Sequence, residues 1–406
     1  MHDILPGETE KWQHAEKIIL ETVRLFNYRE LRTPVIEERA LFERSIGSES
    51  DIISKEMYTF QDRKGRNLAL RPEGTASVVR AFNESGMQEA RKVSRLYYYG
   101  PMFRYDRPQK GRYRQFYQFG VELLGGRSPL YDAEVIEILD TIMKNLETGG
   151  HYFGVNTLGC PDCRERYAGK IKSYLLSVSE KLCQDCRTRM ERSPLRILDC
   201  KNASCKEQTR DIPSIREILC AECSEHFGLL AGCLDRKGIP YKVMDNLVRG
   251  LDYYTKTVFE VFRSGDDNAV AAGGRYDTLV SQLGGADTPA VGFAIGMERL
   301  ITVMESPLPE VPALYLVCMG SGARDAGAGI ASGLRMRGIT VETDYDAVTL
   351  KAVMKMADRA GVKWCAILGD REMERGGVLL KNMSTGVQEE IAAASFITKA
   401  VERVKP

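Results

Sequence analysis

Two runs of alternating residues, joined by a short basic turn, constrain the fold of this chain more than any other feature. Residues 97–104 and 115–124 alternate as half-buried β-strands do, and Pro108 and Gly111 between them are typical of a turn. The stretch therefore predicts a β-hairpin. Other strand-like runs lie at 28–33, 57–61, 67–70, 247–262, 273–280 and 291–303. Because few βαβ crossovers separate them, we expect an antiparallel sheet flanked by helices.

The turn of this predicted hairpin is strongly basic. Arginine makes bidentate contacts with phosphate oxygens, and the aromatic residues interleaved with the cations are suited to stacking on bases. A polyanion with exposed bases is one ligand class that fits, and an ordinary solvated surface is the alternative. The cations at the tip are Arg107, Lys110, Arg112 and Arg114.

Helical periodicity and composition divide the chain into segments. Helices are predicted at 8–26, 75–83 and 132–146, and residues 155–240 are helical and rich in cysteine. We therefore expect an α+β sheet domain formed by residues 1–154 and 241–305, with a helical insertion at 155–240.

The pattern changes after a proline-rich linker at residues 306–312. Strands predicted at 313–319, 339–342 and 364–368 alternate with helices at 324–336 and 350–360. Strands separated by helices of this length are typical of βαβ units, so residues 313–406 predict a separate α/β domain.

Size and charge exclude several classes of protein. A chain of 406 residues exceeds the roughly 250–300 residues at which single cores stop growing, so several domains are expected. The formal net charge of +1 argues against a uniformly basic coat, and any nucleic-acid contact must come from local patches. No apolar run approaches the roughly 18 residues of a membrane span, and the N-terminus lacks the pattern of a signal peptide, so a cytoplasmic location is expected.

Eight of the eleven cysteines fall in four close pairs. Such local pairing favours metal over disulfides, and eight thiolates are enough for two tetrahedral zinc sites. Free or redox-active thiols are the alternative, and a catalytic metal is disfavoured because no histidine that would suit an open catalytic site accompanies the pairs. Cys233, Cys318 and Cys365 are single residues expected in the core. The paired residues are Cys160, Cys163, Cys183, Cys186, Cys200, Cys205, Cys220 and Cys223.

Three segments occur in the order of the three signatures of class II aminoacyl-tRNA synthetases. The first is Arg32-Thr-Pro34 with Glu37, the second runs from Phe103-Arg104 to Glu122, and the third is residues 291–300, which include Gly-Met-Glu-Arg299. The chain resembles that class, whose antiparallel catalytic sheet binds ATP through two arginines. The resemblance implies that residues 1–154 and 241–305 form the catalytic domain.

Further segments resemble the histidyl-tRNA synthetases of class IIa, in their bacterial form. These segments are Leu70-Arg71-Pro-Glu73-Gly-Thr75, Arg107-Pro-Gln109, Arg249-Gly-Leu-Asp252-Tyr253-Tyr254 and Gly274-Arg275-Tyr276-Asp277. The resemblance covers nearly the whole chain, and it implies activation of histidine with ATP, giving adenylate and pyrophosphate, followed by transfer to the 3′ end of tRNA(His).

The resemblance assigns roles to residues of the catalytic sheet. Arg104, Arg249 and Arg299 are implied as catalytic cations on the phosphates, with Arg249 also at the substrate carboxylate. This fits a transition state that gathers negative charge on phosphate oxygens, which fixed cations stabilise. ATP is implied at Arg104, Glu122 and Arg299, with Mg²⁺ on its phosphates.

Histidine is implied to bind through acceptors for its amino group and its ring. Such a site rejects analogues that leave a buried polar group unpaired. Glu73 and Glu122 as plain surface carboxylates, the tyrosines as core aromatics and the arginines as structural ion pairs are the alternatives. The implied histidine ligands are Glu73, Thr75, Gln118, Glu122, Arg249, Tyr253, Tyr254 and Tyr276.

The resemblance also implies partners. The hairpin residues Arg107, Gln109, Lys110, Arg112 and Arg114 are implied at the tRNA acceptor end, and the C-terminal domain resembles an anticodon-binding domain. A homodimer is implied around Pro34, and neither DNA nor a membrane is an expected partner. Candidates for tRNA backbone contact in the C-terminal domain are Lys351, Lys355, Arg371 and Lys381.

Two other functions remain to be weighed. A non-catalytic regulatory paralogue of the same fold, which partners an ATP phosphoribosyltransferase, tends to lose the motif arginines and the C-terminal domain, and this chain keeps both. A zinc-dependent RNA-binding module would leave Glu73, Arg249 and Arg299 without a role.

Overall fold

The computed structural model describes residues 2–47, 50–106, 111–266, 268–305, 311–346 and 349–404, with the backbone alone at residue 192. Two compact units divide the chain, Met1–Pro307 and Leu308–Pro406. Among the described residues, every helix is too short or too polar to span a lipid bilayer.

The first unit contains helices and strands in alternation. Its helices are α1 (Thr9–Leu25), α2 (Arg39–Ile46), α3 (Thr75–Glu84), α4 (Met87–Ala90), α5 (Pro129–Asn145), α6 (Pro161–Ser177), α7 (Gln184–Arg192), α8 (Ala203–Gln208), α9 (Ala221–Lys237), α10 (Leu279–Gln282) and α11 (Met297–Val303). Its strands are β1 (Arg29–Glu30), β2 (Ile36–Glu38), β3 (Thr59–Gln61), β4 (Asn67–Leu70), β5 (Ser94–Phe103), β6 (Gln115–Leu124), β7 (His151–Thr157), β8 (Tyr241–Val243), β9 (Thr255–Arg263), β10 (Ala269–Arg275) and β11 (Ala290–Gly296).

An eight-stranded sheet organises this unit, in the order β1-β5-β6-β11-β10-β9-β7-β8. The described strands from β5 to β7 pair in antiparallel fashion, including the predicted hairpin β5–β6, in which Tyr97 lies opposite Val121. The two edge strands differ from the expectation of an antiparallel sheet, because β1 pairs with β5 and β8 with β7 in parallel. A smaller sheet has the order β2-β4-β3.

Alternation along the central strands separates a core face from an open face. On β6, Phe119, Val121 and Leu123 are buried in the main hydrophobic core, whereas Gln118 and Glu122 line a cavity on the other face. Phe259 of β9 joins the same core, and its truncation to alanine would destabilise the fold by about 3–5 kcal/mol.

Helices α1, α5, α9 and α11 cover the core face of the sheet. Helix α1 forms because Trp12, Ala15, Ile19 and Val23 recur every three or four residues and so share one buried face. Helix α5 begins at a proline, and the Ser128 side chain before it accepts a hydrogen bond from the Leu130 N–H at 3.3 Å.

The cysteine-rich region does not lie wholly apart from the sheet. Helices α6, α7 and α8 contribute Tyr167, Met190 and Cys205 to a buried cluster that also contains Tyr98 of β5 and Leu124 of β6. Helix α9, by contrast, packs against α5 and places Leu230 and Leu234 in the core beneath the sheet. Helix α9 thus joins the cysteine-rich region to the core beneath the eight-stranded sheet.

The second unit is an α/β sheet in the order β13-β12-β14-β15-β16. Strands β12, β13 and β14 are parallel, as the βαβ pattern predicts, and β15 and β16 extend the sheet in antiparallel fashion. Its elements are β12 (Leu314–Met319), α12 (Ser321–Arg335), β13 (Val341–Asp344), α13 (Leu350–Arg359), β14 (Trp364–Gly369), α14 (Asp370–Glu374), β15 (Gly377–Asn382), β16 (Gln388–Ala392) and α15 (Ala393–Val404).

Candidate functional site

A cavity of about 640 Å³ lies on the open face of the eight-stranded sheet. Its floor is formed by β6, β9, β10 and β11, where Gly292, Ala294 and Gly296 leave space above the sheet. All the residues that the sequence predicted for histidine and ATP line it: Glu73, Thr75, Arg104, Gln118, Glu122, Arg249, Tyr253, Tyr254, Tyr276 and Arg299.

Three predicted cations approach the cavity from different elements. Arg104 follows β5 and donates from Nε to the Pro72 carbonyl at 2.8 Å, while its guanidinium lies over the Phe116 ring. Arg299 on α11 donates from Nη1 to the Ala269 carbonyl at 2.7 Å. Each arginine is fixed by a backbone acceptor, and its other guanidinium N–H groups have no hydrogen-bond partner among the described residues.

The third cation, Arg249, is held by a carboxylate. Its Nη1 pairs with Glu260 of β9, and its guanidinium lies 5.7 Å from the centre of the Tyr254 ring. Burial alone would lower the pKa of Arg249, but Glu260 and the neighbouring tyrosines outweigh it and raise the pKa. The Nε of Arg249 is buried and has no hydrogen-bond partner among the described residues.

The other two arginines are in a less favourable electrostatic setting. Burial lowers the pKa of Arg104, although Glu56 and Glu73 oppose this. Burial also lowers the pKa of Arg299, and the positive charge of Arg112 adds to the effect. Both remain cationic because the ordinary pKa of arginine is so high. A bound polyanion would relieve the repulsion between Arg299 and the neighbouring cations Arg112 and Arg104.

Glu122 lies at the bottom of the cavity with 1 % of its surface exposed. Its carboxylate accepts a hydrogen bond from the Thr75 hydroxyl at 2.6 Å and another from the Tyr276 hydroxyl. Burial raises the pKa of Glu122 to about 8, even though the two hydroxyl donors favour the ionised form. A ligand that brings an N–H group or a positive charge would favour ionisation here.

Glu73 has a structural contact as well as a place in the cavity wall. Its two carboxylate oxygens accept from the backbone N–H groups of Thr75 and Ala76 at 2.7 and 2.9 Å, at the start of α3. Burial raises the pKa of Glu73, and these two hydrogen bonds oppose the rise. The carboxylate therefore caps the N-terminus of α3 beside the cavity.

Gln118 offers an unused acceptor. Its Oε1 is buried and has no hydrogen-bond partner among the described residues. A buried, unpaired carbonyl oxygen is costly, and a ligand amino group at this point would satisfy it.

Three tyrosines form an aromatic wall beside Glu122. The ring centres of Tyr253 and Tyr254 are 4.7 Å apart, and Tyr276 packs edge-on against Tyr253 at 5.6 Å. All three are buried, as core aromatics would be, and they also face the cavity. The wall fits a flat ring better than a branched aliphatic side chain.

The basic hairpin is only partly described. Arg107, Gln109 and Lys110 lie outside the described residues. Arg112 lines the cavity and pairs with Asp106 at 3.3 Å, whereas Arg114 stacks on the Tyr105 ring at 4.0 Å. Of these two residues, Arg112 is the one that the structure brings to the cavity.

The eight paired cysteines form two groups of four, each with its sulfur atoms within 4.8 Å of one another. Cys160 and Cys163 meet Cys220 and Cys223, while Cys183 and Cys186 meet Cys200 and Cys205. We call these groups the outer site and the inner site respectively.

The donor sets of both cysteine groups fit zinc. Four sulfur atoms at 2.3 Å around one zinc ion would lie about 3.8 Å apart, and the Cys160–Cys163 and Cys183–Cys200 Sγ distances are 3.6 and 3.9 Å. Backbone N–H groups of Cys160, Cys183 and Cys220 donate to the sulfur atoms of Cys223, Cys205 and Cys163, each at 3.2 Å.

The remaining predicted residues lie outside the cavity and outside the two cysteine groups. Cys233, Cys318 and Cys365 are buried, as predicted. In the second unit, Lys351 and Lys355 are exposed on α13, Arg371 is exposed on α14, and Lys381 is half-buried on β15.

Several cavity residues were not predicted from the sequence. Glu260 and Glu298 reach the cavity from β9 and α11, and burial raises the pKa of Glu298 to about 7. Glu260 had a usable signal, since a lone carboxylate inside an apolar strand indicates a buried partner. The insertion residues gave no local signal, because only the tertiary fold brings them to the cavity: Arg189, Arg196, Asp199 and Lys201.

Comparisons with known protein families match most of the chain. A family model described as histidyl-tRNA synthetase matches residues 1–159 and 203–300, and one described as anticodon binding domain matches 313–403. The first match leaves out residues 160–202, which hold five of the eight paired cysteines.

Individual relatives cover almost the full length. Curated proteins named histidine–tRNA ligase are 45% identical in Halothermothrix orenii, over 98% of this chain and 96% of the relative, and 44% identical in Desulfitobacterium hafniense, over 99% and 97%. The crystal structure of apo histidyl-tRNA synthetase from S. aureus superposes with a TM-score of 0.82 at 35% identity, covering 98% of this chain and 97% of that one.

Proposed function

Because this chain belongs to the histidyl-tRNA synthetase family and ligates histidine to tRNA(His), we propose that the cavity on its eight-stranded sheet carries out both half-reactions. In the first, a carboxylate oxygen of histidine attacks the α-phosphorus of ATP, the bond to the β-phosphate oxygen breaks, and pyrophosphate leaves. In the second, a ribose hydroxyl at the 3′ end of tRNA attacks the carbonyl carbon and AMP leaves.

One observation supports this assignment above the others. Three fixed arginines and a set of buried acceptors line the same cavity, so a polyphosphate and an amino acid with a polar ring can bind side by side. Arg104 and Arg299 are proposed at the ATP phosphates, and Arg249 at the histidine carboxylate and the α-phosphate. Cations already held in place stabilise the developing charge without reorganisation. Mg²⁺ is proposed on the ATP phosphates, held chiefly by phosphate and water oxygens.

Histidine recognition is proposed at the opposite side of the cavity. Gln118 Oε1 and Glu73 would accept from the amino group, with Thr75 beside them. Glu122, held by Thr75 and Tyr276, would accept from an imidazole N–H, and Tyr253 and Tyr254 would pack on the ring. Glu122 is also proposed to lie close enough to ATP to affect its binding.

The tRNA is proposed to contact both units. Arg112, which faces the cavity, and Arg107, Gln109, Lys110 and Arg114 of the hairpin would hold the acceptor end through phosphate contacts. The second unit, whose sequence matches the anticodon-binding family, would hold the anticodon through Lys351, Lys355, Arg371 and Lys381.

We propose that residues 1–154 and 241–305 form the catalytic domain and residues 155–240 the insertion. The linker 306–312 would join them to the anticodon-binding domain at 313–406. Since charging serves translation, a cytoplasmic location is proposed.

Zinc is proposed at both cysteine groups. In each, four thiolates would hold one ion. Cys160 and Cys220 of the outer site and Cys183 of the inner site directly precede helices, so the helix starts hold these sulfur atoms in place. The ions would be structural, since a Cys₄ set leaves no open position. Elemental analysis of protein prepared without chelator should give about two zinc ions per chain, and freely titratable thiols in the folded protein would contradict it.

A homodimer is proposed through the region around Pro34. Pro34 and Ile36 are exposed there, and Phe60 of the same small sheet is also exposed. An apolar patch of this kind is typical of an interface. Light scattering should give a mass near 91 kDa, twice the 45.5 kDa of one chain.

The regulatory paralogue is the less favoured alternative. Arg104, Arg249 and Arg299 are all present and face one cavity, and the anticodon-binding family model matches residues 313–403. ATP–pyrophosphate exchange measured with each of the twenty amino acids tests the proposal. Exchange should depend on histidine, and equal exchange with another amino acid, or none with histidine, would refute it.

A further inference from the structure

Two arginines of the cysteine-rich insertion bind the segment of residues 249–254, which carries Arg249, Tyr253 and Tyr254. Arg164 donates from Nη1 to the Asp252 carbonyl at 2.8 Å and to the Tyr254 carbonyl at 3.3 Å. Arg196 donates from Nη2 to the Gly250 carbonyl at 3.2 Å and to the Asp252 carboxylate at 2.9 Å. Together they occupy four acceptors within five residues.

Outside the insertion, the backbone of this segment has two long hydrogen bonds among the described residues. The Asp252 N–H donates to the Ile46 carbonyl at 3.4 Å, and the Ser50 hydroxyl donates to the Gly250 carbonyl at 3.5 Å. Residues 244–254, all of which the structure describes, form neither helix nor strand. No sheet ladder therefore fixes the backbone from which Arg249 and the two tyrosines extend. Residues with few backbone hydrogen bonds of their own have low local stability, so contacts from outside decide their position.

Each of the two arginines is tied to one of the cysteine groups. Arg164 directly follows Cys163 of the outer site, in the first turn of α6. Arg196 lies between Cys186 and Cys200 of the inner site, in a short helical turn at Pro194–Ile197. A metal that cross-links each cysteine group would fix the backbone on which each arginine is carried.

Apolar side chains also connect the insertion to the segment 249–254. Ile197 and Leu198, beside Arg196, belong to one continuous buried cluster with Val248, Tyr253 and Tyr254. Because this cluster runs from the inner cysteine site to the aromatic wall of the cavity, the insertion and the segment 249–254 pack as one body.

We propose that the two cysteine sites, loaded with Zn²⁺, clamp the segment 249–254 through Arg164 and Arg196, so that bound zinc sets the affinity for histidine. Arg164 and Arg196 are positioning residues that act through Arg249, Tyr253 and Tyr254. The inference rests on the proposed function, because it names the recognition of histidine as the step that zinc supports.

Substitution of the clamp arginines tests the positioning role. Arg196→Gln and Arg164→Gln should each raise the histidine KM in pyrophosphate exchange about 10-fold, since each loses hydrogen bonds from a charged donor. The ATP KM should change by less than about 2-fold, and zinc content should stay at about two ions per chain. Arg196→Lys, which keeps the positive charge and the N–H donors of a single nitrogen, should recover part of the loss.

Arg187→Gln is the matched control. Arg187 also lies in the insertion, but it donates to the Leu182 and Glu180 carbonyls, both within the insertion itself. This variant should leave the histidine KM unchanged. An equal rise in Arg187→Gln, or an unchanged histidine KM in both clamp variants, would overturn the positioning role.

Removal of zinc from the full-length protein gives a second test that does not depend on activity. Hydrogen exchange of peptides covering residues 249–254 should accelerate about 10-fold or more after chelation and slow again when Zn²⁺ is restored. Unchanged exchange in metal-free protein, or the absence of zinc from protein prepared without chelator, would overturn the zinc clamp. Failure of the proposed function is distinguishable, because exchange of these amides is measured without histidine, ATP or tRNA.

Discussion

The guanidinium of Arg249 pairs with the carboxylate of Glu260 at the cavity, joining the irregular segment before β9 to the strand itself. Glu260 is largely buried, and burial raises its pKa while Arg249 opposes the rise. The pair therefore has two consequences: Arg249 is held ready for an anionic ligand, and Glu260 depends on it for charge compensation.

Replacement of Arg249 by alanine should reduce adenylate formation by about 10²-fold or more, because a fixed cation is lost where negative charge develops. Binding of tRNA should change little, since the phosphates of tRNA are assigned to other residues. Pyrophosphate exchange measures the first quantity and filter binding the second. Arg249→Lys is the control that keeps the charge but not the bidentate geometry of arginine. Its rate of pyrophosphate exchange should lie between those of the unaltered protein and Arg249→Ala. A main effect on tRNA affinity at an unchanged exchange rate would contradict the assignment.

Replacement of Glu260 by glutamine should lower histidine activation about 10-fold, because Arg249 loses a charge-assisted hydrogen bond and is free to move. The double variant Glu260→Gln with Arg249→Ala should be no worse than Arg249→Ala alone, since Glu260 acts through Arg249. Pyrophosphate exchange on the three variants measures this coupling. Additive losses would mean that Glu260 has a separate role.

The sequence predicted most elements because local periodicity determined them. The spacing of Trp12, Ala15 and Ile19 places α1 within a residue of its observed bounds at each end, and the alternation of residues 115–124 matches β6. Strand β9 was predicted from residue 247 but begins at Thr255, because Leu247, Val248, Tyr253 and Tyr254 are buried in irregular backbone against the insertion. Apolar composition alone does not distinguish these two kinds of burial.

In the candidate site, too, some residues could be predicted from the sequence and others could not. Motif residues such as Arg104 and Glu122 could be placed in one cavity from the sequence, through resemblance. The grouping of the cysteines could not, because close pairs allow other partitions and only the fold brings Cys163 beside Cys220. Arg164 and Arg196 carried no signal, since their partners are mostly backbone carbonyls, which the identity of the side chains does not reveal.

The buried Glu122 should make stability depend on pH. Its pKa is raised to about 8 in the folded protein, so between its ordinary pKa near 4.5 and pH 8 the folded state keeps a proton that the unfolded state releases. The free energy of unfolding should therefore be highest below this window and fall as pH rises through it, by at most about 1.4 kcal/mol per pH unit. The variant Glu122→Gln cannot ionise and should lack this fall.

Urea unfolding of both proteins at several pH values between 5 and 9, without substrates, measures the difference. Glu298, whose pKa is raised to about 7, contributes with the same sign in both proteins and cancels in the comparison. Parallel curves for the two proteins would contradict a raised pKa at Glu122.

Close approach of two strands should make Gly292 irreplaceable. A Cβ atom built at Gly292 of β11 would overlap the Glu122 carboxylate and the Val121 carbonyl of β6, so Gly292→Ala must displace either the carboxylate or the strand. Overpacking of this kind costs about 1–3 kcal/mol, and we expect a comparable loss in histidine affinity, about 10-fold or more. Calorimetric titration with histidine and thermal unfolding measure the two effects. Gly228→Ala on α9 is the control, because its Cβ would meet nothing within 4 Å and alanine favours a helix. Full histidine affinity in Gly292→Ala would show that Glu122 does not need its position over β11 to bind histidine.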